Sequence, residues 1–400
     1  MAEEMRKNLR HALRELRIEK REKQVNERRP DVPVQFYLTL REFSSLLTSI
    51  KSSKRDFQYW RDIKNALALG EDYIESFIRS DGAVDTLVSV LVGADTANQL
   101  EAAGCVVNLS SSAKAAPRIC KAAAPYLVTF LNGHSSVLKE SCALALGNLA
   151  SNGSSDKLLA MGFLLSATRQ LESQYPSVVE STVFALWCYT SNATMSSREI
   201  EEVHLVRKLV PHLTGAFLSD VSRILFNLYT RIDDLNVDEE LSTSICETLM
   251  KSFLKLATMT LADVVEDSNA ISVLTPVQRC LAAMAASSSR LAERVATECC
   301  AKDVLRACLN SPYPHIRKEC LFLISNIAPW IKSVDEATAT ALVIALYTHC
   351  RDKDSSILQN VLFSRLQCSL LAPFAKPAKG DDEPGTSQQA ETEDNATTSK

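Results

Sequence analysis

The sequence predicts an all-α protein that stacks helices into a solenoid, and two observations predict it. The first is an internal repeat. Five stretches resemble one another: Gln99–Ser111 (QLEAAGCVVNLSS), Leu138–Ser151 (LKESCALALGNLAS), Val178–Ser191 (VVESTVFALWCYTS), Leu218–Thr230 (LSDVSRILFNLYT) and Lys318–Ala328 (KECLFLISNIA). Aligned on a small polar position near their ends, Asn108, Asn148, Cys188 and Asn227 follow at intervals of 40, 40 and 39 residues, and Asn326 closes the set. A unit of that length is one helical layer that cannot bury its faces alone and therefore stacks on its neighbours. The second observation is composition. The 400 residues are 46% hydrophobic and 23% charged, with only 11 glycines, which favours helices joined by short turns over sheets.

Taken in order, residues Glu3–Arg29 read as one helix without Gly or Pro, stopped by Pro30 and Pro33. At about 100° per residue, Arg6, Arg10, Arg14, Arg17 and Arg21 share one stripe about 80° wide. Leu9, Leu13 and Leu16 flank that stripe, and Glu15, Glu19 and Glu22 lie opposite. Cations, leucines and acids are sorted by face, which fits a basic helix entering an acidic partner. A solvated helix held by ion pairs four residues apart, or a short coiled coil, fits the same pattern. The apolar face is small and carries no aromatic residue, so a membrane-surface role is disfavoured.

Val34–Ile50 and Phe57–Leu69 then give two apolar helical patterns on either side of a basic KSSKRD turn. In Phe77–Val84 (FIRSDGAV) a short helix turns at Gly82 into a second helix, Asp85–Leu91, and Gly162 repeats the device. The repeat between them has no such Gly; there Cys120–Leu131 is the predicted second helix, with Pro125 near its start. The period breaks between Arg231 and Pro276, where two acidic runs predict a longer connection or an extended helix, and Gln278–Ser287 resumes as a degenerate repeat with Ala283 at the ladder position. Asp335–His349 and Ser356–Leu371 are the predicted terminal helix pair. Residues 373–400 are acidic and polar with almost no large apolar side chain, and the expectation for them is disorder. The resulting domain division is 1–33, 34–372 and 373–400.

The repeated stretches resemble the third helix of an armadillo repeat, which implies a right-handed superhelical solenoid. The opening segment resembles the second half of the importin-β-binding segment of importin-α: Glu3-Glu4-Met5-Arg6 and Glu15-Leu16-Arg17 match that family's pattern in type and spacing. Glu27-Arg28-Arg29 departs from it, with an acid where the family has Lys. The resemblance covers the chain to about residue 371 and implies an adaptor in nuclear protein import, moving between cytoplasm and nucleus. An importin-β-like receptor would be held by Arg6, Arg10, Arg14, Arg17, Arg21, Arg28 and Arg29.

In that family, Trp-x-x-x-Asn motifs on successive third helices form a groove for basic localisation peptides. The Asn half is present at Asn108, Asn148, Asn227 and Asn326, which the resemblance marks as the peptide groove. Asn carries both a donor and an acceptor and so suits a peptide backbone; bonds within the helix array are the alternative use. At the Trp positions stand Gly104, Leu144, Phe184, Arg223 and Phe322, and an inward Arg223 would repel a basic ligand. Trp187 and Trp330 fall off the ladder and read as packing residues.

Other function classes find little support. The six histidines are isolated, and there is no Ser/His/Asp or Cys/His spacing, Gly-rich phosphate loop or HExxH pair, so the sequence predicts no enzyme and no cofactor. The 12 cysteines lie mostly singly in apolar helical stretches, which reads as reduced, buried packing rather than as metal ligands or disulfides. The apolar run Ala341–Tyr347 is far short of the roughly 20 residues of a spanning helix, and no secretory leader is evident. A net charge of −4 argues against nucleic acid as partner. A scaffold without a transport role is the runner-up.

Overall fold

The structure, a computed structural model, describes residues 38–51, 56–261 and 268–331. The basic segment 1–33, the terminal pair over 335–371 and the tail 373–400 lie outside the described residues. Every longer element among those described is an α-helix, and none is long and apolar enough to cross a membrane.

The described residues open with α1 (Leu40–Thr48) and α2 (Phe57–Ala68). Thr39 and Glu42 close a capping box at the start of α1, and Asp56 accepts from the Tyr59 amide at the start of α2. These side chains satisfy amides that a helix start leaves unpaired. A three-helix unit then follows: α3 (Glu71–Arg79), α4 (Ala83–Leu91) and α5 (Thr96–Ser110). Gly82 joins α3 to α4 at φ 71°, a left-handed conformation that a side chain would strain, as the FIRSDGAV reading requires. The next unit consists of α6 (Ala116–Leu131) and α7 (Ser136–Leu149). It is followed by α8 (Ser155–Ala160), α9 (Phe163–Gln170) and α10 (Pro176–Thr190), with Gly162 at φ 78° before α9.

One boundary differs from the sequence expectation. The predicted helix starting at Cys120 begins instead at Ala116, and Pro125 is tenth of its 16 residues rather than near the start. Pro117, in the first turn, is where a helix start lies, because its missing amide would be unpaired there in any case. The interior Pro125 leaves one carbonyl without its helical donor, yet the segment stays a single helix because its flanking Ala123, Ala124, Leu127 and Val128 are buried in the core.

Beyond α10 come the short α11 (Ser197–Glu202) and α12 (Leu205–Leu209), then α13 (Leu218–Arg231). The broken period resolves into a 23-residue helix, α14 (Glu239–Leu261), and a 20-residue helix, α15 (Ser268–Ser287). The first acidic run, 232–240, is mostly the non-helical connection into α14, and the second, 262–270, lies largely outside the described residues. α16 (Ser289–Ala301), α17 (Val304–Leu309) and α18 (Pro314–Ile331) complete the described array.

The third helices α2, α5, α7, α10, α13, α15 and α18 stack side by side in that order. α5 is buried at every position from Glu101 to Ser110, and α10 nearly so from Ser181 to Thr190. A helix buried on all sides needs neighbours on both flanks, which is what stacking supplies. Among the described residues one continuous apolar core runs from Phe43 to Ile331. The ten described cysteines are buried within it, and none is in a disulfide.

Candidate functional site

The candidate site is the face built by the third helices. Its asparagines reach back to the preceding helix. Asn108 Nδ2 donates to the Lys64 carbonyl at 2.9 Å, Asn148 Nδ2 to the Val107 carbonyl at 3.2 Å, and Asn326 Nδ2 to the Ala282 carbonyl at 2.9 Å. Asn227 Nδ2 reaches the hydroxyls of Thr190 and Ser191, each at 3.1 Å. Asn108 and Asn148 are buried, while Asn227 and Asn326 stay half-exposed. The bonds within the array that the sequence leaves open as an alternative are therefore present at all four positions. Only the latter two asparagines also keep some surface toward solvent.

The positions four residues before the ladder follow a second rule. At three of them the side chain packs onto the residue just before the preceding ladder residue. Phe184 lies against Gly147, where an added Cβ would sit 2.9 Å from the ring. Arg223 lies over the Trp187 ring, 4.9 Å from guanidinium carbon to centroid. Arg279, four residues before Ala283, lies over the Phe226 ring at 5.5 Å. The aromatic surfaces at these junctions are thus covered by the chain's own next repeat. Trp187, expected as a packing residue, is half-buried and packs against Arg223.

Ion pairs tie the same helices together at the repeat interval. Arg61 Nε is 3.2 Å from Glu101, and Lys64 Nζ is 2.6 Å from the same carboxylate. Forty residues also separate Arg279 from Glu319, which it holds by two nitrogens, Nε at 2.9 Å. That hydrogen bond is the main cause holding the Arg279 guanidinium above its ordinary pKa, so its charge is fixed at any physiological pH. Arg223 pairs with Asp220 at 3.3 Å on its own helix.

The acids lie underneath. Glu101 and Glu319 side chains are 8% and 6% exposed, whereas Arg61 and Arg279 are 45% and 43% exposed. Sequence reasoning found Arg223 but missed Arg61, Lys64 and Arg279. The available signal was opposite charges one repeat apart, Arg61 with Glu101 and Arg279 with Glu319. Lys64 stands 40 residues before Gly104, and its stem lies 2.5 Å from where a Gly104 Cβ would be. Among the described residues no group of three or more metal-ligating side chains comes together.

No protein-family profile matches the chain. It is 27% identical over 282 residues to importin subunit alpha-9 of Arabidopsis thaliana, covering 67% of this chain and 52% of that one. The chain thus spans about half the length of that relative. Two engineered proteins of solved structure share the fold. One has a TM-score of 0.65 at 21% identity, covering 82% of this chain and 79% of that one; the other has 0.50 at 22%, covering 61% and 98%. A designed armadillo repeat protein aligns with a TM-score of 0.49 at 17% identity over 61% of this chain. The architecture is an all-α armadillo-type solenoid, and its likeness in sequence is to an importin α subunit.

Proposed function

We propose that this chain is an importin-α-like adaptor in nuclear protein import. The basic segment, through Arg6, Arg10, Arg14, Arg17, Arg21, Arg28 and Arg29, binds an importin-β-like receptor. The third-helix face, marked by Asn108, Asn148, Asn227 and Asn326, holds a peptide or protein cargo, with Asn227 and Asn326 the two of the four that reach its surface, and the protein works in cytoplasm and nucleus. The observation that carries this reading is the likeness to an importin α subunit along 67% of the chain. The Glu3-Glu4-Met5-Arg6 and Glu15-Leu16-Arg17 motifs add to it.

One observation favours a second reading, an armadillo scaffold whose basic segment meets another acidic partner. Arg223 already covers Trp187, so a basic localisation peptide would meet a like charge where it needs an aromatic slot. A pull-down of the full chain with purified importin-β separates the two. The adaptor reading expects binding that Arg14→Glu with Arg17→Glu abolishes, with the helical circular dichroism signal unchanged. No binding by the unaltered chain leaves the scaffold.

A further inference from the structure

We propose that the third-helix face selects an extended peptide that is acidic toward both ends and apolar between them. This rests on the reading that the face is a ligand groove, and it names the ligand's chemistry. The carrying observation is the layering of charge. At the α2–α5 junction Glu101 lies buried beneath Arg61 and Lys64, and at the α15–α18 junction Glu319 lies buried beneath Arg279. What approaches this surface from solvent therefore meets guanidinium and ammonium groups, while the acids act from below to hold those cations in place.

A planar guanidinium whose position is fixed by an acid on one side and a ring on the other still offers N–H edges to a second carboxylate. Arg279 is held in this way between Phe226 and Glu319, and Arg61 between Phe57, 4.1 Å from its guanidinium carbon, and Glu101. Arg223 over Trp187 adds a third guanidinium near the Arg279 end. Between these ends the corresponding positions are Gly104, Leu144 and Phe184, which carry no charge. A lysine or arginine of a ligand would have to displace Arg223 from its ring and sit beside it, which like-charge repulsion opposes.

Five helix-to-helix steps separate α2 from α15. At about 9 Å per step they span about 45 Å, which an extended chain crosses with about 14 residues. A peptide fits better than a nucleic acid. The cations sit in two separated groups rather than along a continuous track, and the chain as a whole carries −4.

The test uses the full chain and fluorescence anisotropy with three labelled probes. These are a 15-residue peptide with Asp and Glu at both ends and Leu and Ser between, the same peptide with Lys for every acid, and a 15-nucleotide single strand. Two paired variants, Arg279→Gln with Glu319→Gln and Arg223→Gln with Asp220→Asn, remove a surface cation and its counter-ion together. Net charge is unchanged and no buried carboxylate is stranded. Arg61→Gln is a third variant, in which Lys64 still neutralises Glu101, and thermal melts by circular dichroism check that each variant is folded.

The expected result is acidic-peptide binding that each folded variant weakens by about tenfold, the scale of losing one local charge contact. Tighter binding of the Lys peptide, itself altered by the variants, would overturn the charge inference and leave the groove reading standing. Acidic-peptide binding that no variant moves would place the peptide elsewhere and overturn the inference, as would tighter binding of the oligonucleotide. If neither peptide binds, the groove reading falls and the inference falls with it.

Discussion

Asn108 donates its amide to the Lys64 carbonyl across an interval of 44 residues, and Asn326 does the same to Ala282 across the same interval. These bonds are staples between consecutive third helices, and their worth depends on what water can replace. Asn108 is fully buried, so Asn108→Ala loses a bond that water cannot restore; Asn326 is half-exposed. The expected loss is about 1–2 kcal/mol at Asn108 and about 0.5–1 kcal/mol at Asn326, read from urea unfolding. Equal losses at the two positions would count against burial as the controlling variable.

Two glycines on the same face predict opposite outcomes. A Cβ on Gly147 would come within 3.0 Å of the Ala185 backbone and closer still to the Phe184 ring, neither of which can easily give way. Gly147→Ala therefore forces α7 and α10 apart, with an expected loss of about 1–3 kcal/mol. At Gly104 the obstacle is the flexible stem of Lys64, which can swing aside. Gly104→Ala should be neutral or should gain up to about 1 kcal/mol from helix propensity. Thermal melts of the two variants check the contrast, and a destabilised Gly104→Ala would show that the Lys64 stem is fixed.

The solenoid reads from the sequence because its period is a packing requirement, repeated wherever a third helix must fill the same space. Asn108, Asn148, Cys188 and Asn227 announce it. What the period conceals is everything that does not recur. The spacing shows the break after Arg231 but not the path, because α14 and α15 are longer than the units they replace. Pro125 misleads for a related reason, since local propensity favours a helix start there and the buried flank of α6 overrides it. On the candidate site, the ladder asparagines were legible and the cations were mostly not. Arg61 and Lys64 stand just before Asn65, which precedes Asn108 by 43 residues rather than 40 and so falls outside the regular spacing, and Arg279 follows the irregular stretch.

The buried thiols predict an alkaline limit to stability. Burial pushes Cys246 and Cys300 up to about 11, and Cys105, Cys142 and Cys280 higher still, whereas unfolded thiols ionise near about 8.5. Within that window the unfolded chain has released protons that the folded chain keeps. Stability is therefore whole below about pH 8 and falls as pH rises, by about 1.4 kcal/mol per pH unit for each such thiol. The urea midpoint should drop clearly between pH 7.5 and 9.5, and thiol reagents should react with these cysteines only on unfolding. An unchanged midpoint would mean that the thiols ionise equally easily in both states.

The staples also have a direction. At Asn108, Asn148 and Asn326 the donor belongs to the later helix and the acceptor is a backbone carbonyl of the earlier one. A helix presents its carbonyls as soon as it forms, whatever side chains it bears, and synthesis delivers the earlier helix first. Each repeat leaving the ribosome therefore finds its acceptor already built, and the array can be laid down in the order in which it is translated.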